Sequence, residues 1–134
     1  MGNNKVEMKL VGNDVGFVDD AIFLIRNLLA KEQHCALSYV STQDPRYIEE
    51  LKMTRERRTE ILKLIVKKEE GQLWCISKHS LACVEGFLEL ANRFISANKM
   101  KNASILLEYA ADEIMSFMAL NGYADKEIEI TTEA

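Results

Sequence analysis

Apolar residues recur every three to four places along four successive stretches of the chain, the spacing that turns one face of an α-helix toward a core. The first stripe runs through Val18, Ile22, Ile25, Leu29, Ala36 and Tyr39, and the second through Tyr47, Ile48, Leu51, Ile61, Leu62, Ile65 and Val66. The third stretch, Leu73 to Ala97, is apolar or small around most of its circumference. Only Lys78, Glu85, Glu89, Asn92, Arg93 and Ser96 gather on a narrow strip. A surface helix buries one stripe of roughly 100°, so this pattern predicts a third helix enclosed by neighbours on two or three sides. The fourth stretch runs from Asn102 to Leu120.

Punctuation separates the stripes. Asn13 or Asp14 can cap the first helix, with Asp19 and Asp20 near the positive end of its dipole. Ser41-Thr42-Gln43-Asp44 ends it. Asp44-Pro45 starts the second, because aspartate caps the first turn and proline loses nothing there by lacking an N–H. Glu69-Glu70-Gly71 and Asn98-Lys99-Met100-Lys101 are the later breaks, and Asn121-Gly122 caps the last helix. The expected helices are 14–40, 45–68, 72–97 and 102–121. Short turns between them give an all-α, single-domain antiparallel bundle of four helices, up-down-up-down, over residues 1–134. The termini, 1–12 and 123–134, are expected to be flexible or extended, from the alternation Val6-Glu7-Met8-Lys9-Leu10 and from Ile128 and Ile130 in the acidic tail.

Composition narrows the function classes. Hydrophobic residues make up 48% of 134 and charged residues 28%, a globular balance. One proline and six glycines leave little punctuation for a many-turned β fold. A net charge of −4 and pI near 5.3 argue against nucleic acid as the main partner. The cations Arg55, Arg57, Arg58, Lys63, Lys67 and Lys68 are interleaved with Glu49, Glu50, Glu56, Glu60, Glu69 and Glu70, as on a solvated, self-paired helix face. No apolar run approaches the roughly 18 residues that span a bilayer. Met1 to Lys5 lacks a signal-peptide core, and Val6 breaks the myristoylation pattern. Three cysteines fit reduced thiols in a cytoplasm better than a disulfide framework.

Candidate chemistry comes from places where the stripes are broken. Thr54, Arg55 and Arg58 stand where the second stripe should continue, and Glu32 interrupts the first. Counted back from the turn, Glu32 is level with Met53 to Arg55, which predicts a partly buried pairing of Glu32 with Arg55 or Arg58, with Gly86 near the same level leaving room. Such a pair either fixes helix register or forms a pocket whose fork-shaped guanidinium recognises a small carboxylate or other anion. His79, inside the apolar arc of the third helix, is expected to be a core histidine whose buried ring nitrogens are hydrogen-bonded, the alternative being a functional base.

Cys75, His79 and Cys83 lie in line at i, i+4 and i+8. Eight residues of helix rise about 12 Å, too far for both thiolates to reach one zinc ion at roughly 2.3 Å. These cysteines and Cys35 are therefore expected to pack as small hydrophobes. No Glu-x-x-His pair of the di-iron kind, phosphate loop or serine elbow is present, so no metal or cofactor is assigned.

Two local resemblances bear on function. Phe87, Leu90, Ala91, Phe94, Ala103, Leu107 and Ala110 resemble the apolar spacing of one tetratricopeptide hairpin, with Asn98 in place of the usual turn glycine and no second copy. Glu69-Glu70-Gly71-Gln72-Leu73-Trp74 resembles the acidic segment before the third helix of all-α nucleotide pyrophosphohydrolases of the MazG type. That resemblance implies carboxylates holding magnesium, yet Gln72 stands where an acid is needed, and Glu56 and Glu60 do not complete the signature.

The reading that organises these observations is a non-enzymatic, cytoplasmic helical bundle acting through a protein partner or a second copy of itself. Its motivation is surplus apolar surface: Phe23, Leu24, Ile105, Tyr109, Met115 and Leu120 fall off the core stripes. The alternatives are a ligand- or metal-binding bundle centred on Glu32, Arg55, Arg58 and His79, and, more remotely, a magnesium-dependent pyrophosphohydrolase.

Overall fold

Asp44-Pro45 opens a helix as its chemistry requires. The Asp44 carboxylate accepts the Arg46 N–H at 2.9 Å, and Pro45 fills the first turn. The computed structural model describes residues 8–9, 15–68 and 70–123. Within them the chain forms α1 (Val15–Thr42), α2 (Pro45–Ile65), α3 (Gly71–Ser96) and α4 (Met100–Leu120). This is an all-α four-helix bundle made of two closely packed hairpins, α1 with α2 and α3 with α4. The hairpins meet mainly along α1 and α3.

Each turn has its own stop signal. After α3, Asn98 takes a positive φ of 60°, and the Lys99 N–H bonds the Phe94 carbonyl at 2.8 Å. After α4, Gly122 takes φ 78°, letting the Tyr123 N–H reach back to the Met118 carbonyl at 2.8 Å. That bond satisfies a carbonyl the helix itself cannot pair.

The main core lies at one end. Val18, Ile22 and Ile25 from the start of α1 meet Leu62 and Ile65 from the end of α2, Leu81 from α3, and Phe117 and Met118 from the end of α4. Toward the opposite end the same faces are open: Ala36 is exposed, Leu37 and Val40 on α1 are 56% and 70% exposed, and Ile95, Met100 and Leu107 are also on the surface. The hairpins thus share apolar packing where the α2–α3 connection lies and lose it away from there.

This arrangement corrects the expectation that the third helix is enclosed. Its inner residues Ser77, Ser80, Leu81, Val84 and Ala91 are buried, but Cys75, Ile76, His79, Cys83 and Leu90 are exposed. Helix α3 has α4 on one flank and only part of α1 on another, so its apolar circumference exceeds the neighbours available to cover it.

The expected flexible C-terminal segment is also corrected at its first residue. Tyr123 is 5% exposed, its hydroxyl donates to the Ile65 carbonyl at 2.7 Å, and the Lys67 ammonium sits 4.4 Å from its ring centroid. Burial pushes the Tyr123 phenol above its ordinary range, so the hydroxyl keeps its donor proton across neutral pH. The expectations for 1–7, 10–12 and 124–134, and the caps at Asn13 or Asp14, lie outside the described residues. Removing only the hydroxyl, Tyr123→Phe, is expected to cost about 1–2 kcal/mol by urea denaturation, since it orphans a carbonyl at the end of α2. An unchanged midpoint would show that this bond is not formed.

Candidate functional site

The two interruptions in the apolar stripes face each other. Arg58, one of the most enclosed charged residues at 8% exposure, donates through Nε to Glu32 Oε2 at 2.9 Å and through Nη2 to Glu32 Oε1 at 3.0 Å. Both carboxylate oxygens are engaged by one planar fork, the strongest geometry an ion pair can take. Arg55 approaches from outside, its Nε 3.9 Å from Glu32 Oε1 and its side chain 59% exposed. Of the two arginines the sequence offered, Arg58 holds the bond and Arg55 lends a screened, distant charge. Thr54, one turn before Arg58, is buried as well.

Glu32, Arg55 and Arg58 therefore come together, and His79 does not join them. His79 lies on the exposed side of α3 and takes part in no hydrogen bond or ion pair among the described residues. Its wheel position placed it in an apolar arc that has no covering helix. Gly86 does line a groove between α1 and α3 with Ala30 and Gln33, near the level of Glu32. A Cβ there would meet nothing within 4 Å, so room for the arginines does not explain the glycine.

The chemistry available to this cluster follows from its occupancy. Glu32 occupies the Nε–Nη2 edge of Arg58, so the donors left for a carboxylate or other anion are those of the Arg58 Nη1 side and of the exposed Arg55. Arg55 also borders a groove of about 690 Å3 with Leu24, Leu28 and Ile61, outside the ion pair.

The cysteines divide by environment. Cys35 is buried, as expected for a small hydrophobe, whereas Cys75 and Cys83 are exposed free thiols, contrary to the expectation of packing. Among the described residues, no group of three or more His, Cys, Asp or Glu side chains is placed to hold a metal ion. Of the acids and the amide weighed in the resemblance to the pyrophosphohydrolases, Glu56, Glu60 and Gln72 are all exposed, with Glu60 3.9 Å from the Lys63 ammonium, and Glu69 lies outside the described residues. Among the described residues, no helix is long and apolar enough to cross a membrane.

Sequence reasoning missed a second ion pair. Arg26 on α1 donates through Nη2 to Glu85 Oε1 on α3 at 3.1 Å, and its guanidinium carbon lies 5.4 Å from the Phe23 ring centroid. This bridge ties the two hairpins together across the flank where α1 and α3 touch. The Arg26 Nε is buried without a partner among the described residues, so the clamp is incompletely satisfied. Only the isolated lysine and glutamates near Glu85 on the wheel hinted at a polar edge there.

The apolar surplus expected from the sequence is present. Phe23, Leu24, Ile105, Tyr109, Met115 and Leu120 are each 40–61% exposed. The outer side of α3 adds to it. From Gly71 to Leu90 its exposed residues are Gly71, Gln72, Cys75, Ile76, His79, Cys83, Gly86, Glu89 and Leu90, and of these only Glu89 is formally charged. The Phe87 and Tyr109 rings, with centroids 5.7 Å apart in an edge-on contact, flank this strip toward α4. No protein family, curated protein or solved structure matches the chain.

Proposed function

We propose that this chain is a cytoplasmic, non-enzymatic helical protein that acts by protein–protein contact, through self-association on the outer face of α3. The observation that carries the reading is the near absence of charge among the exposed residues of that face, beside Ile76 and Leu90, each 47% exposed. Helix α2, by contrast, carries the charge of a solvated surface, exposing Glu49, Lys52, Arg55, Glu56, Arg57, Glu60 and Lys63. Unpaired thiols at Cys75 and Cys83 suit a reducing compartment.

Magnitudes set the strength of the contact. Burying the exposed half of Ile76 and Leu90 on both copies is worth about 4 kcal/mol in total, at 1.5–3 kcal/mol per whole side chain. That only begins to offset the roughly 4–15 kcal/mol lost in association. Those two side chains alone therefore do not hold a dimer: the rest of the face must supply the remainder, and the association is weak and reversible. Sedimentation equilibrium from about 10 to 500 µM, a range in which weak reversible pairs are read, is expected to show a monomer–dimer transition. Leu90→Asp, an exposed change that leaves the core untouched, is expected to move the transition beyond this range. A native chain that stays monomeric throughout sinks the reading.

A further inference from the structure

We infer that the groove between α1 and α2 is the docking site of the chain's own N-terminal arm, with Met8 as the anchor that holds the arm there. The groove of about 690 Å3 has an apolar floor, to which α1 contributes Leu24 and Leu28 and α2 contributes Ile61. Met8 forms one of its walls. Leu24 and Leu28 lie about 14 and 20 Å along α1 from Val15, and the chain from Met8 to Val15 reaches at most about 25 Å. Met8 therefore stands back along α1, at a level that uses most of that reach. A segment lying along the groove puts it there; a segment leaving the end of the helix does not.

Two further observations select this occupant. The first is alternation: Val6 and Met8 alternate with Glu7 and Lys9, so in an extended segment the apolar pair shares one side and the charged pair the other. Such a segment can lay one side on an apolar floor and leave the other in water. The second is the order of charge. Antiparallel α2 brings Glu60 toward the start of α1 and carries Arg57 and Arg55 farther along it, and all three rim the groove. An arm running back from α1 meets that rim with Lys9 nearer Glu60 and Glu7 nearer the arginines, opposite signs in matching order. Glu56 stands between the two arginines and leaves that side net positive. Met8 remains 54% exposed, so the hold is partial and the arm can exchange with the open groove. The groove lies on α1 and α2, away from the outer face of α3, and this docking stands or falls apart from self-association.

Methyl NMR on the full chain tests the docking. With methionine, leucine and isoleucine methyls isotope-labelled, and the Met8 signal identified by its loss in Met8→Asp, Overhauser cross-peaks are expected from the Met8 methyl to methyls of Leu24, Leu28 or Ile61, unchanged on dilution. Met8→Asp, a change in the arm that leaves the bundle intact, is expected to shift those three residues' methyls while Ile22, Ile25 and Leu62 in the core keep theirs. Leu24→Asp, at an exposed position outside the core, is expected to abolish the cross-peaks and move the Met8 methyl to the position of a solvated methionine. In the same variant, trypsin cleavage after Lys9 is expected to speed up several-fold as the arm is released. A native chain whose Met8 methyl gives no cross-peak to the groove overturns the docking, as do cross-peaks that fade on dilution and so come from another copy. Cross-peaks that persist in a chain monomeric throughout uphold the docking and sink self-association alone.

Discussion

Glu32→Ala is expected to lower folding stability by about 3–5 kcal/mol, because it strands the Arg58 guanidinium without its counter-charge in a site only 8% exposed. A domain of this size has roughly 5–15 kcal/mol to lose, so the variant should unfold at a much lower denaturant concentration. The cost belongs to the unpaired charge and not to the pair itself. Replacing both members with apolar residues, Glu32→Met with Arg58→Leu, should therefore restore most of the stability or exceed it. Arg55→Ala is the control. Its side chain is 59% exposed and 3.9 Å from the carboxylate, so its loss should cost less than about 1 kcal/mol. Urea denaturation of the four proteins checks the set, and equal midpoints for Glu32→Ala and Arg55→Ala would show that the fork is not formed.

How the sequence foretold this pair, and missed others, has a physical explanation. Glu32 and Arg58 lie on adjacent antiparallel helices joined by a tight turn, so their levels can be counted outward from Asp44-Pro45. A polar residue breaking each of two facing stripes is then a readable signal. Arg26 and Glu85 are just as close in space, but a whole helix separates α1 from α3 and no turn supplies a register to count from. Helix boundaries were legible because caps and glycines are local. The covering of α3 was not. Periodicity tells which residues are apolar but not how many neighbours a bundle supplies, and here the hairpins close mainly through α1 and α3. For the same reason His79 was assigned to an interior that α3 does not have on that side. The surplus at Phe23, Ile105, Tyr109 and Leu120 could be read, since residues off every stripe need no knowledge of the neighbours to be expected outside.

Asn121 shows a limit of another kind. As a helix terminator it was readable, but the work of its side chain was not, because its partners are distant in sequence. Buried to 1% exposure, it donates through Nδ2 to Ser77 Oγ and to the Phe117 carbonyl, each at 3.0 Å. Its Oδ1 accepts the Lys67 N–H at 3.0 Å. One amide thus joins the α2–α3 connection, the start of α3 and the end of α4 beside the core. Asn121→Ala leaves the Ser77 hydroxyl and the Lys67 N–H without these partners, at about 1–3 kcal/mol for each group that water cannot reach. The expected total is about 2–4 kcal/mol, or a fall of roughly 8–16 °C in Tm for a chain of this length. The loss should be shared and not additive: once Ser77→Ala has removed the hydroxyl, the further change at Asn121 should cost about 1 kcal/mol less. Amide hydrogen exchange gives the local readout, with Lys67 expected to lose protection in Asn121→Ala ahead of the helix interiors. A protected Lys67 amide with an unshifted Tm would mean that Phe117 and its apolar neighbours hold this end closed without the amide.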